Sequence, residues 1–122
     1  MAIEEHFYTV KQGAETIKEY KRKNPGIKLD LSGANLRRAK LEHADLSDVN
    51  FQGANMEWAD LRWADLLNSD FSGANLERAD FHKADMQKAN LQNTILLNTN
   101  LEDANLIGAK LSGAQFGHTR MY

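Results

Sequence analysis

Two tryptophans five residues apart are the side chains in this sequence best suited to recognise another molecule. Trp58 and Trp63 have Asp60 and Arg62 between them. Tryptophan and arginine are enriched among the residues that contribute most of the binding energy in protein interfaces. We therefore expect this segment to contribute to a protein-interaction face.

Further cations lie twenty residues from each tryptophan. Arg38 and Arg78 flank Trp58 at this distance, and Lys83 follows Trp63 by twenty residues. Because a cation is attracted to the face of an indole ring, a second interpretation is ordinary cation–π stacking on the surface. The predicted interaction face comprises Arg38, Trp58, Asp60, Arg62, Trp63, Arg78 and Lys83.

No arrangement of side chains in the sequence predicts catalysis. The chain has no cysteine, and it lacks a nucleophile motif and a glycine-rich phosphate loop that leads into a helix. The four histidines are His6, His43, His82 and His118. They lie at positions that we do not expect to converge, so we predict no enzyme activity, no cofactor and no metal site.

Carboxylates also recur at intervals of twenty residues. One set is Asp45, Asp65 and Asp85, and another is Asp60 and Asp80. Such ladders could bind a cation or imitate a row of phosphates. The alternative is that they are solvated polar side chains at an exposed position.

A five-residue period must position all of these side chains. Every fifth residue from Leu31 to Met121 is Leu, Phe or Met, and from Leu36 onward the residue two places before each is small, most often Ala. This period fits neither a helix nor a simple strand. It fits a short extended segment followed by a corner, with one large and one small side chain pointing inward.

A second period indicates how many such units close a coil. Gly33, Gly53, Gly73, Asn93 and Gly113 follow one another at intervals of twenty residues. Glycine and asparagine tolerate positive φ, so we predict a type II turn at this corner and four units per coil. Coils then stack at about the 4.8 Å spacing of strands.

The repeat resembles a known protein family. The segments Ser32–Leu36, Glu42–Leu46 and Ser72–Leu76 resemble the A(D/N)LXX motif of pentapeptide-repeat proteins. The resemblance covers residues 29–122 and implies a right-handed quadrilateral β-helix of about 4.6 coils. Asp or Asn is replaced at Lys40, Ile95, Lys110, Gln115 and Arg120.

Residues 1–28 form a separate N-terminal segment. Ile3, Phe7, Val10, Ala14 and Ile17 recur at helical spacing, and Asn24-Pro25-Gly26 ends the pattern. We predict an α-helical cap and linker that cover the first coil. A basic amphipathic helix that binds a membrane or a partner is the alternative.

The last coil lacks a comparable cap. Phe116, Met121 and Tyr122 belong to it, and Ile95 and Leu97 point outward from the coil below. Because terminal repeats normally need caps, we expect either an end-to-end homodimer or a longer native chain.

Charge and hydropathy limit the remaining function classes. Residues 29–122 carry a net charge of −4, which disfavours direct nucleic-acid binding. The N-terminus does not resemble a signal peptide, and no apolar run is long enough to span a membrane. We expect a cytoplasmic protein without membrane contact.

The leading hypothesis is a non-enzymatic scaffold that binds an unidentified protein. The family resemblance implies an alternative, a DNA mimic that modulates DNA gyrase. Three features depart from that subgroup: the rod is only about 22 Å long, or about six base pairs, its acidic ladders are interrupted by Lys and Arg, and no loop is inserted between repeats.

Overall fold

The computed structural model describes residues 1–122 as two short helices followed by a continuous repeat. The helices are α1 (Glu4–Lys11) and α2 (Ala14–Lys23), and the strands are β1 (Ile95–Leu97) and β2 (Gln115–Gly117). β1 and β2 are parallel, with Leu96 opposite Phe116. Parallel bridges join residues twenty apart from Asp30↔Asn50 to Asn100↔Arg120. We call each twenty-residue period a coil, and we call the residues that share an outward position in successive coils a column.

Every corner of the coil has the same backbone turn. The Ala34 N–H donates to the Leu31 carbonyl at 3.1 Å, and the bond recurs in later units. The residue two places after each central Leu, Phe or Met has positive φ at all eighteen corners from residue 33 to residue 118. The sequence predicted this turn only at the glycine corner. Twelve non-glycine residues and Gly108, all at other corners, adopt it as well, since the turn requires positive φ whatever the side chain.

The Asp or Asn of each unit fixes the start of the turn. Its Oδ1 accepts the backbone N–H two residues later, as Asp60 does from Arg62 at 3.2 Å and Asn75 does from Glu77 at 3.0 Å. Lys40, Ile95 and the other three replacements do not make this bond. The polar position of the motif thus has a structural role, and Ile95 starts the only strand pair longer than a single bridge.

The interior of the repeat is a single apolar core. The central residues from Leu31 to Leu101 are buried, and the Phe51 and Phe71 rings stack at 4.7 Å. The buried hydroxyl of Thr94 donates to the Leu91 carbonyl at 2.8 Å, so a polar side chain is tolerated at a small inward position.

The N-terminal segment differs from the single helix predicted. α1 and α2 are separated at Gln12 and Gly13, because Gly13 has φ +95°, which is incompatible with a helix. Val10 and Ile17 are fully buried in the core of the repeat. Ile3, predicted to lie on the same apolar stripe, is 46% exposed.

A buried histidine joins the helices to the first coil. His6 Nδ1 accepts the Asp30 N–H at 2.9 Å, and its ring packs edge-on against Tyr20. The Ile3 N–H donates to the Asp30 carbonyl at 3.0 Å. Both the N–H and the carbonyl of Asp30, at the start of the first coil, are therefore hydrogen-bonded to α1 and the residue before it. Neither helix combines the length and the apolar character needed to cross a membrane.

Candidate interaction surface

Trp58 lies between two arginines in one corner column. The guanidinium carbons of Arg38 and Arg78 are 5.3 and 5.0 Å from the indole centroid. The side chain is 44% exposed. Both faces of the ring are therefore occupied, and its edge remains open to solvent.

Trp63 has the same kind of environment at the next corner. Lys83 Nζ is 4.7 Å from its ring centroid, and the His43 ring stacks below it at 6.1 Å with a 9° interplanar angle. Trp63 is 51% exposed. The contribution of His43 was missed from the sequence, although its position twenty residues before Trp63 places it in the same column.

Asp60 and Arg62 form a bidentate ion pair between the two columns. Arg62 Nε and Nη2 donate to Asp60 Oδ1 and Oδ2 at 2.8 and 2.6 Å. The hydrogen bond from the Arg62 side chain lowers the pKa of Asp60, and the same bond raises the pKa of Arg62. Both groups are therefore held in their charged forms.

One carboxylate oxygen beside this pair lacks a partner. Glu42, one coil before Arg62, has a buried Oε2 that makes no hydrogen bond. Arg62 is directed to Asp60 instead.

The two tryptophans also have an unusual backbone. Both have φ +62°, which is uncommon for bulky residues. The left-handed conformation costs a non-glycine residue about 1–2 kcal/mol. The turn would accept glycine here, so folding does not require tryptophan at either corner.

A family model for pentapeptide repeats matches the chain in eight copies, over residues 30–66, 54–93 and 84–121. The chain belongs to the pentapeptide-repeat family.

Solved structures of other pentapeptide-repeat proteins are similar to this one. Rfr23 from the cyanobacterium Cyanothece 51142 is 32% identical, with a TM-score of 0.52, over 76% of this chain and 67% of Rfr23. QnrB1, a plasmid-mediated fluoroquinolone resistance protein, is 26% identical with a TM-score of 0.69. That match covers 75% of this chain but only 46% of QnrB1. Comparison with curated proteins gave no significant match.

The acidic ladders of this pentapeptide-repeat protein take part in its turns. Asp45, Asp65 and Asp85 each accept the backbone N–H two residues later. Asp45 also binds Lys21 of α2 at 2.9 Å. The spacing of the carboxylates therefore follows from the repeat itself. No group of three His, Asp or Glu side chains is arranged to hold a metal ion.

The last coil exposes part of its inward face. The inward residues Phe116 and Met121 are 47% and 44% exposed, and Tyr122, the next residue, is 81% exposed. Ile95 and Leu97, which the sequence predicted to point outward, are both partly buried. The reason is the pairing of β1 with β2, which places the Leu97 side chain against Gly117. A Cβ added at Gly117 would lie only 2.8 Å from Leu97 Cδ2.

Proposed function

We propose that this pentapeptide-repeat protein is a non-enzymatic interaction module that binds another protein through its Trp face. The Trp face is the side that contains Arg38, Trp58, Asp60, Arg62, Trp63, Arg78 and Lys83. The observation that carries the proposal is a pair of half-exposed tryptophans, each fixed between neighbouring side chains. Side chains that are already ordered lose less conformational entropy on binding.

Two double variants test this function. Trp58→Ser/Trp63→Ser removes both rings, and Asn68→Ser/Asn93→Ser changes two other exposed residues at left-handed corners, both outside the Trp face. Each tagged variant is used for affinity capture from a lysate of the native host, and captured proteins are compared with those of the wild type. We expect the tryptophan variant to lose a specific protein that the asparagine variant retains. Equal capture by both variants, or a large loss of thermal stability in the tryptophan variant, would assign the rings to structure.

We also infer that residues 29–122 form a right-handed quadrilateral β-helix of about 4.6 coils, with residues 1–28 as its helical cap. Bridges between residues twenty apart support the coil length. Burial of Val10 and Ile17 in the core of the repeat supports the cap. The Trp face would then be one side of a rigid rod.

For the open coil, we propose a second copy of the chain as the partner. In the coil below, the Met86 N–H donates to the Asn105 carbonyl at 2.8 Å. The N–H groups of Leu106 and Leu111, and the carbonyls of Ala104 and Ala109, make no backbone hydrogen bond. An edge that offers both donors and acceptors can pair with itself across a two-fold axis. Phe116, Met121 and Tyr122 would lie in this contact, with Ile95 and Leu97 in the supporting strand.

Modulation of DNA gyrase is the second candidate function. Its support is the similarity to the fluoroquinolone resistance protein QnrB1. Against it, the carboxylates of the ladders are already hydrogen-bonded to backbone N–H groups, and cations are interspersed in the outward columns. We expect excess protein neither to inhibit gyrase nor to protect it from a fluoroquinolone in a supercoiling assay. Protection at micromolar concentrations would favour this second function.

A further inference from the structure

A cavity of about 330 Å³ opens beside Trp58, on the same side of the rod as the Trp face. Its walls come from four successive coils, because Trp58, Arg78, Asn98 and His118 belong to one corner column. Asp80, Asn100 and Arg120 line the neighbouring side. The volume is within the range of about 300–1,000 Å³ that is typical of ligand sites.

Several hydrogen-bond donors around the cavity have no partner within the protein. The side chains of Arg78, Asn98 and His118 make no hydrogen bond, and neither Arg78 nor His118 has a carboxylate within 4.0 Å. Arg120 reaches Glu102 only at 3.4 Å. The Arg78 guanidinium is held over Trp58 at 5.0 Å, so its position is already defined.

The charge of the lining selects the class of ligand. Arg78 and Arg120 are positive, whereas Asp80 is negative, and Asp80 Oδ1 accepts hydrogen bonds from the His82 N–H and from Asn100 Nδ2. The lining therefore carries one net positive charge when His118 is neutral. One excess charge suits a carboxylate better than a phosphate dianion. The net charge of −4 on residues 29–122 further disfavours a polyanion.

We infer that this cavity binds the carboxylate of a glutamate side chain on the partner protein. Arginine and the free amide of Asn98 would donate to the carboxylate oxygens. The exposed edge of Trp58 would contact the methylene groups of the same glutamate. The inference rests on the function proposed above, and it specifies what the partner must present.

An NMR titration tests the inference on the whole chain. The probe is acetyl-Ala-Glu-Ala-amide, and the uncharged control peptide is acetyl-Ala-Gln-Ala-amide. We expect saturable shifts in the side-chain N–H signals of Arg78, Arg120 and Asn98 with the glutamate peptide, and none with the glutamine peptide. Arg78→Gln should raise the Kd about tenfold, the loss expected for one charge-assisted hydrogen bond.

Lys88→Gln is the matched control. Lys88 is also an exposed cation with positive φ, at another corner and outside the cavity. Its replacement changes the net charge equally and should leave the Kd within twofold of the wild type. Equal weakening by both variants, or no saturable shift at the cavity, would overturn the inference. Tighter binding of inorganic phosphate at the same signals would also overturn it, in favour of a phosphate site.

The result of the NMR titration can be distinguished from the result of the capture experiment. If the tryptophan variant loses its partner protein while the glutamate peptide gives no shift, the interaction function stands and the glutamate site is rejected.

Discussion

At each corner of the coil, one residue adopts the left-handed conformation whatever its side chain. At Gly53, the energetic effect of the backbone conformation can be measured without a steric clash, because a Cβ added there would meet no atom within 4 Å. Any effect of a substitution at Gly53 must therefore come mainly from its φ of +67°. Trp58 and Trp63 show that the conformation is tolerated by bulky residues, at a cost in conformational energy.

Gly53→Val should lower the free energy of unfolding by about 1–2 kcal/mol, because β-branched residues are strongly disfavoured at positive φ. Gly53→Asn should lower it by less than half as much, since asparagine tolerates this region. Urea unfolding followed by circular dichroism measures both. Equal losses for Val and Asn would show that the corner relaxes instead of holding its φ.

The hydrogen bond between His6 and the Asp30 backbone should also contribute to the stability of the protein. His6→Leu removes the acceptor of the Asp30 N–H, and we expect a loss of about 1–3 kcal/mol in the free energy of unfolding. His6→Asn is the control, because its Oδ1 can take the place of the imidazole Nδ1. Thermal and urea unfolding should rank wild type, Asn and Leu in decreasing stability. A leucine variant as stable as the asparagine variant would contradict a role for this hydrogen bond.

For elements, the sequence predicted the repeat better than it predicted the helices. Leu, Phe or Met recurs every five residues without a change of register, so the inward positions and the columns could be read directly. The break between the two helices at Gly13 could not be predicted in this way, because Val10 and Ile17 keep helical spacing across it. The turns at non-glycine corners were also missed, since residues such as Arg78 have no preference for positive φ. The positions of the Trp face followed from the period of twenty. The stacking of the His43 ring on Trp63 could not be predicted, because it depends on side-chain conformations that the period does not determine.

Packing of α2 on the repeat can be tested at Ile17. Ile17→Ala should lower the free energy of unfolding by about 2–4 kcal/mol, because the side chain is fully buried. Ile3→Ala removes the same groups from a side chain that is 46% exposed, and should change stability by less than about 1 kcal/mol. Urea denaturation of the two variants provides the comparison. Similar losses at both positions would show that α2 does not pack on the core as described.

For the whole molecule, the two ends of the repeat differ because the N-terminal helices cover only the first coil. At the first coil, the Asp30 backbone is hydrogen-bonded to His6 and Ile3, and Val10 and Ile17 pack against the core, so the helices block a second copy from stacking there. The coil that contains Phe116 leaves donors and acceptors free. Association through this coil would therefore close as a dimer, since a head-to-tail filament would need both ends open.

Self-association of the 122-residue chain should depend on Phe116. In sedimentation velocity experiments, we expect the wild type to form a dimer and Phe116→Glu to be monomeric, because the substitution places a charge in the apolar contact. Ile107→Glu introduces the same charge at an outward residue of this coil that is 71% exposed, and should leave the dimer intact. A dimer that persists in Phe116→Glu, or a monomeric wild type, would contradict the proposed contact.

The twenty-residue coil also constrains how such a rod can lengthen through duplication of its gene segments. A copied segment of twenty residues inserted after Asn90 would add one coil and leave every column aligned. A copied segment of five residues would keep the inward pattern but would turn all later outward residues to the next side. His118 and Arg120 would then no longer share a side with Trp58 and Arg78, although the core would remain intact. The surface is therefore inherited unchanged only when the duplicated length is a multiple of twenty, whereas the fold tolerates any multiple of five.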